Sequence, residues 1–158
     1  MTKRTFLGTI AAAVGAGGAA RAAAASDRFT TTYTEAEWRK RLNPEQYYVL
    51  REHGTERAGT SPLNREHRVG TFACSGCDLP LFASSAKFES GTGWPSFTAP
   101  LKGGVGTTVD KSFFMTRIEV HCHRCGGHLG HVFDDGPAPT GQRYCMNGNA
   151  MTFKPTKA

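Results

Sequence analysis

The sequence predicts a mainly β domain of the α+β class, opened by two short helices. Three observations carry this. Two helix-start signatures stand in series, at residues 34–37 and 43–46. Beyond them, short runs of alternating or β-rich residues are separated by Gly- and Pro-bearing stretches, the pattern of antiparallel strands. Two Cys-x-x-Cys pairs, Cys74 with Cys77 and Cys122 with Cys125, lie in that β region and can tie distant segments together.

Thr34-Glu35-Ala36-Glu37 is a capping box, and Trp38 and Leu42 share a helical face behind it. Asn43 caps a second helix with Pro44 at its first position, and Gly54 ends it after His53. Residues 55–68 are polar and aperiodic, a loop. Residues 69–73 form a strand leading into Cys74, and 79–82 form another. Residues 83–99, with Phe88, Trp94 and Phe97, read as an aromatic-bearing loop. Phe114, Thr116, Ile118 and Val120 alternate with Met115, Arg117 and Glu119, a half-buried strand entering the second Cys pair. Residues 136–141 are a turn, followed by short strands at 142–146 and 151–153.

At 158 residues the chain holds one domain with room for a core. Residues 1–25 read as an export signal. Lys3 and Arg4 precede a small apolar run, and Ala23-Ala24-Ala25 suits cleavage. Thr2-Lys3-Arg4-Thr5-Phe6-Leu7 is twin-arginine-like, with lysine at the first position. The rival, an organelle transit peptide, lacks its serines and spread of arginines. The apolar run is too short for a membrane span. Export to a bacterial periplasm is therefore expected, with residues 26–33 a linker, 34–155 the domain and 156–158 a tail. Cleavage removes Lys3, Arg4 and Arg21 and no acids, so the formal charge falls from +6 to +3. That leaves no electrostatic case for nucleic acid. No membrane partner is expected after cleavage, and nothing marks a large apolar interface, so a monomer is expected.

Four of the five cysteines supply soft ligands enough for a closed tetrahedral Zn2+ site. Each pair has knuckle spacing, with Gly76 and Gly126 suiting tight turns. The gap from Cys77 to Cys122 is long, so the ion joins two remote segments and its role is structural. Disulfides are the alternative that export allows. His121, His123 and His128 are spare ligand candidates.

The fifth cysteine, Cys145, then has no partner. Arg143 and nearby imidazoles favour its thiolate, the nucleophilic form. His128 and His131 are three apart, so a turn or bulged strand could present both to an oxygen gaining charge. A buried, inert Cys145 among satisfied histidines is the plainer reading. The Gly-rich, polar surroundings weigh against it. In Gly91-Thr92-Gly93-Trp94-Pro95-Ser96-Phe97, Trp94 is the better candidate for a substrate wall, and Phe97 can plug the core instead.

From Trp38 to Phe153 the chain resembles the methionine-R-sulfoxide reductases of B type. The segments that carry the resemblance are Pro44-Glu45-Gln46-Tyr47, Gly54-Thr55-Glu56-Arg57, Cys74-Ser75-Gly76-Cys77, residues 90–97 and residues 122–147. The resemblance implies two antiparallel sheets and zinc on Cys74, Cys77, Cys122 and Cys125. It implies Cys145 as the nucleophile, with His128, His131 and Asn147 organising hydrogen bonds at the sulfoxide oxygen and Arg143 near the thiolate. It places the substrate methyl group on Trp94, with Phe97 as a further substrate contact, and Asp134 or Asp135 orienting the imidazoles. Its substrate is methionine-R-sulfoxide, in oxidised proteins or free, and its reductant is a thioredoxin-like protein or small thiol.

The chain departs from the family pattern at Thr92, where many members carry a resolving cysteine. A cycle with one free cysteine, reduced directly from outside, is the consequence. Met146 and Gly148 stand where isoleucine or valine and serine are more usual. Two readings compete with the enzyme. A zinc-scaffolded binding module leaves Cys145 and Trp94 without a role, and a general thiol oxidoreductase needs a Cys-x-x-Cys free of metal.

Overall fold

A computed structural model describes residues 29–157, and the expected leader, residues 1–25, lies outside them. Both capping boxes form. Thr34 starts α1 (Glu35–Arg41) and Asn43 starts α2 (Pro44–Glu52), each with its reciprocal N3 side chain, Glu37 and Gln46. The end of α2 differs from expectation. His53 itself takes the left-handed conformation, φ 55° and ψ 33°. Gly54 instead lets the Tyr48 ring lie close, since a Cβ there would come within 2.3 Å of it.

The strands follow in chain order: β1 (Gly70–Cys74), β2 (Pro80–Ala83), β3 (Lys87–Phe88), β4 (Ser96–Phe97), β5 (Val105–Asp110), β6 (Arg117–Cys122), β7 (His128–Phe133), β8 (Arg143–Met146) and β9 (Met151–Pro155). They make two antiparallel sheets, β2-β1-β9 and β3-β4-β8-β7-β6-β5. The mainly β fold with two short leading helices is as the sequence predicts. Three local expectations change. The 83–99 loop contributes two short strands, one of which pairs with the Cys145 strand. Strand β6 begins at Arg117, because Phe113 and Phe114 have positive φ and stand in solvent. Strand β5, from a stretch that the sequence reading passes over, forms the sheet edge beside it.

The two sheets meet through aromatic rings. Phe97 on β4 stacks on Phe82 at 4.3 Å and meets Phe72 edge-on at 5.0 Å. All three are fully buried. Burial of such rings contributes about 2–3 kcal/mol each. Phe97 is thus a core residue: adjacent strand residues point to opposite faces, and this one points between the sheets. Its expected role as a substrate contact is corrected accordingly.

The helices pack on the cysteine knuckles. Leu50 reaches both Gly76 and Gly127, Trp38 lies against Gly76, and Arg51 donates to the Cys125 carbonyl at 3.2 Å. The described part of the expected linker is also engaged. Thr31 N–H donates to the Arg124 carbonyl, and Phe29 sits edge-on to His121.

Candidate active site and metal cluster

The cysteine quartet is built at strand ends. β1 ends on Cys74 and β6 ends on Cys122, and tight turns return Cys77 and Cys125 to the same point. The four sulfurs lie within 4.8 Å of one another, with Cys74 to Cys125 at 3.7 Å and Cys77 to Cys122 at 3.5 Å. Tetrahedral thiolates at about 2.3 Å from an ion sit roughly 3.8 Å apart, so the donors fit a metal of the zinc class. Gly76 N–H points at the Cys74 sulfur, as the knuckle spacing predicts. Without an ion, contact among the thiols divides them. Hydrogen bonds from Cys122 and Cys125 push Cys77 down, while that with Cys122 pushes Cys74 up. A dication removes that conflict by favouring all four thiolates.

Cys145 is apart from the quartet and lies at the centre of the six-stranded sheet. Pairing across the strands sets one row: Ser96, Cys145, His131, Glu119 and Thr108. Residues directly opposite share a face, so thiol, imidazole and carboxylate come together from separate segments. His128 joins them through a bulge. Val120 pairs with Gly130 and His121 with His128, so Leu129 is an extra residue in β7. Residues three apart in a regular strand face opposite sides. Here the two imidazoles meet, ring centroids 5.4 Å apart.

Carboxylates orient both rings, and neither is Asp134 or Asp135. His128 Nδ1 is 2.7 Å from Glu119, and His131 Nε2 is 2.8 Å from Asp110. Asp135 instead holds the Arg143 guanidinium through two bonds of 2.8 and 2.9 Å, and Asp134 accepts from Gln142. That corrects the expectation for the Asp pair, because the β7–β8 connection turns them back along β8, away from the imidazoles.

The electrostatics follow from this packing. Burial pushes Glu119 up, but the His128 bond and the charges of three imidazoles outweigh it, leaving the carboxyl below its ordinary value. Asp110 is held below the usual carboxylate range by its hydrogen bonds with Ser112 and His131. Burial pushes His131 down against the Asp110 bond. Burial also pushes the Cys145 thiol up, and this exceeds the pull of Arg143 and of the Thr92 hydroxyl. Arg143 therefore favours the thiolate, as the sequence suggests, but burial outweighs it.

A pocket of about 140 Å3 opens over Cys145, lined by Trp94, His131, Asn147, Thr55, Arg117 and Phe133 among others. Trp94 Nε1–H donates to the Glu56 carbonyl, which fixes the indole. Asn147 is buried, and its amide spans two segments. Its Oδ1 accepts the Glu56 N–H at 2.9 Å, and its Nδ2 donates to the Leu129 carbonyl at the bulge. The Glu56 carboxylate accepts Gly148 and Asn149 N–H at 2.6 and 2.8 Å. Sequence reasoning assigns no role to Glu56, Asp110 or Glu119. Glu56 does stand in one of the family-like segments, whereas Glu119 is simply the polar partner in an alternating strand. Gly148 is also explained: the Ser61 hydroxyl occupies the place of its Cβ, 1.9 Å from it.

Comparison with known proteins points to one family. Residues 42–155 match the SelR domain. Over 123 residues the chain is 53% identical to a peptide methionine sulfoxide reductase MsrB of Agrobacterium fabrum, covering 77% of this chain and 91% of that one. With an MsrB of Methanosarcina barkeri the identity is 54% over 122 residues, 77% and 86% of the two chains. With the chloroplastic peptide methionine sulfoxide reductase B1 of Arabidopsis thaliana it is 56% over 119 residues, 75% of this chain and 59% of that one. By both the domain match and these identities, the chain belongs to the SelR domain family.

Proposed function

We propose that this protein reduces methionine-R-sulfoxide, in oxidised proteins or peptides or as the free amino acid, through one catalytic cysteine. The observation that carries the reading is the position of Cys145: apart from the quartet, at a pocket walled by Trp94 and facing His131. The Cys145 thiolate attacks the sulfoxide sulfur. A water held by His128 and His131 protonates the departing oxygen, because an unprotonated sulfoxide oxygen leaves poorly. The oxygen leaves as water and the Cys145 sulfur is bonded to the methionine sulfur. A second water then adds to the Cys145 sulfur, methionine departs with the electron pair of that bond, and Cys145 becomes a sulfenic acid. Arg143, fixed by Asp135, stabilises the thiolate before attack. Trp94 holds the substrate methyl group on its indole face. Asn147 holds the bulge and turn that set the imidazoles.

A thioredoxin-like protein or a small thiol then condenses with the sulfenic acid, releasing water. A second thiol frees Cys145 and leaves the reductant as a disulfide. Thr92 beside Cys145 supports this external route, since a hydroxyl stands there in place of a thiol that could resolve the sulfenic acid. The quartet of Cys74, Cys77, Cys122 and Cys125 binds structural Zn2+, which locks β1 to β6. Residues 1–25 direct export to the bacterial periplasm, where the enzyme works as a monomer in repair after oxidative stress.

Turnover on resolved R and S epimers tests the reading. Reduction of the R epimer alone, abolished in Cys145→Ser with metal content intact, is expected. Equal use of both epimers, or activity surviving without Cys145, would overturn it.

A further inference from the structure

A second cavity, about 450 Å3, adjoins the cysteine pocket and shares Thr55, Arg117 and His131 with it. On its wall the ligand atoms of His53, Glu119 and His128 lie within 4.8 Å of one another. His128 Nδ1 is 2.7 Å from Glu119 Oε1, and His53 Nδ1 is 3.1 Å from the same oxygen. These atoms come from three elements: the end of α2, β6 and β7. His53 reaches the point because it adopts the left-handed turn itself. A glycine there would end the helix with less strain and bring no side chain.

We propose that His53, Glu119 and His128 form a second, exchangeable site for a divalent transition-metal ion of the zinc class, and that filling it switches off the reductase. Two imidazoles and one carboxylate without sulfur suit Zn2+, Co2+ or Ni2+ and not the all-oxygen preference of Ca2+ or Mg2+. Ligands at about 2.0–2.1 Å from an ion stand roughly 3.0–3.5 Å apart. The two separations to Glu119 are near that already. The histidine pair closes by movement of His53, whose side chain is 64% exposed while that of His128 is 3% exposed. The remaining coordination positions face the cavity, so the ion exchanges with solvent, unlike one enclosed by four thiolates.

Coordination changes the state of His128. In the ion-free form its Nδ1–H donates to Glu119. An ion takes that nitrogen, the proton moves to Nε2 or leaves the ring, and the imidazole is fixed to the metal. Nε2 is buried without a partner among the described residues, so its change from acceptor to donor alters the hydrogen bonding available around the site. The metal-bound ring cannot carry protons on both nitrogens, so His128 can no longer supply one to the water that protonates the leaving oxygen. This inhibitory half rests on the role given to His128 above, whereas ion binding does not.

The test uses protein whose quartet is already zinc-loaded, titrated with Co2+ and followed by dialysis and visible absorption. One additional ion per chain is expected, with nitrogen–oxygen cobalt bands and no thiolate charge-transfer band. His53→Gly keeps the left-handed turn and removes the ligand. It should weaken second-ion binding at least tenfold, raise the concentration of Zn2+ needed for half-inhibition by the same factor, and leave ion-free turnover unchanged. Absence of a second ion, equal binding by His53→Gly, or a thiolate band marking Cys145 as the ligand would overturn the site. Binding without loss of turnover would overturn the inhibition. A protein that reduces no sulfoxide yet binds the second ion through His53 would sink the proposed activity and leave the site standing.

Discussion

Replacing Glu56 with alanine removes the anchor of the turn that follows the Cys145 strand. Its buried carboxylate is the acceptor for two backbone donors, Gly148 at 2.6 Å and Asn149 at 2.8 Å. A hydrogen bond to a charged group is worth about 1.5–3 kcal/mol, and a buried donor left unpaired adds its desolvation cost. The Asn149 side is only partly buried, so water can replace that bond. The net loss is therefore about 3 kcal/mol. For a domain of this size it lowers the melting temperature by roughly 10 °C. Glu56→Gln keeps one acceptor but turns an amide donor toward the other N–H, so its loss is intermediate, about 2 kcal/mol. Thermal melts of the zinc-loaded protein by circular dichroism, with kcat/KM measured in parallel, read both effects. Turnover should fall more than unfolding explains, because Asn147 and Trp94 both bond to the Glu56 backbone. A Glu56→Ala protein melting within about 2 °C of wild type, with unchanged kcat/KM, would refute the reasoning.

Because burial holds the Cys145 thiol above its ordinary value, its thiolate fraction and the alkylation rate at Cys145 should climb through the alkaline range. Arg143→Ala should move that rise to still higher pH and slow alkylation at neutral pH, whereas an unmoved profile would show that Arg143 does not act on the thiol. Thr92→Cys should let sulfoxide-treated protein form a disulfide between the introduced thiol and Cys145 that wild type lacks, as peptide mass mapping would reveal. Stripping the metal with a chelator, or Cys74→Ser, should collapse the packing between β1 and β6 and lower the melting temperature by more than the Glu56 variant does. Retained stability in the stripped protein would remove the case for a structural ion.

The sequence exposes what is local. Both capping boxes, the knuckles and the strand entering Cys122 are written in neighbouring residues, and the structure has them. What it hides is set by register. No local pattern indicates that Asp110 will face His131, because that contact needs β5 to pair with β6 and β6 with β7. The family resemblance implies Asp134 or Asp135 as partners of the imidazoles, yet the chain turns these onto Gln142 and Arg143. Phe97 is read both ways from the sequence, as a substrate contact beside Trp94 or as a core plug, and the pleat of β4 sends it into the core. The bulge at Leu129 is the exception, since two histidines three apart already point to an irregular strand.

The most direct test is a single turnover. Zinc-loaded protein is mixed with excess methionine-R-sulfoxide and no reductant, and the products are read by methionine analysis and intact-protein mass. The account predicts one methionine per chain, one oxygen gained at Cys145 as a trappable sulfenic acid, and zinc still bound. Release of zinc with a disulfide among the quartet, or no methionine formed, would contradict it.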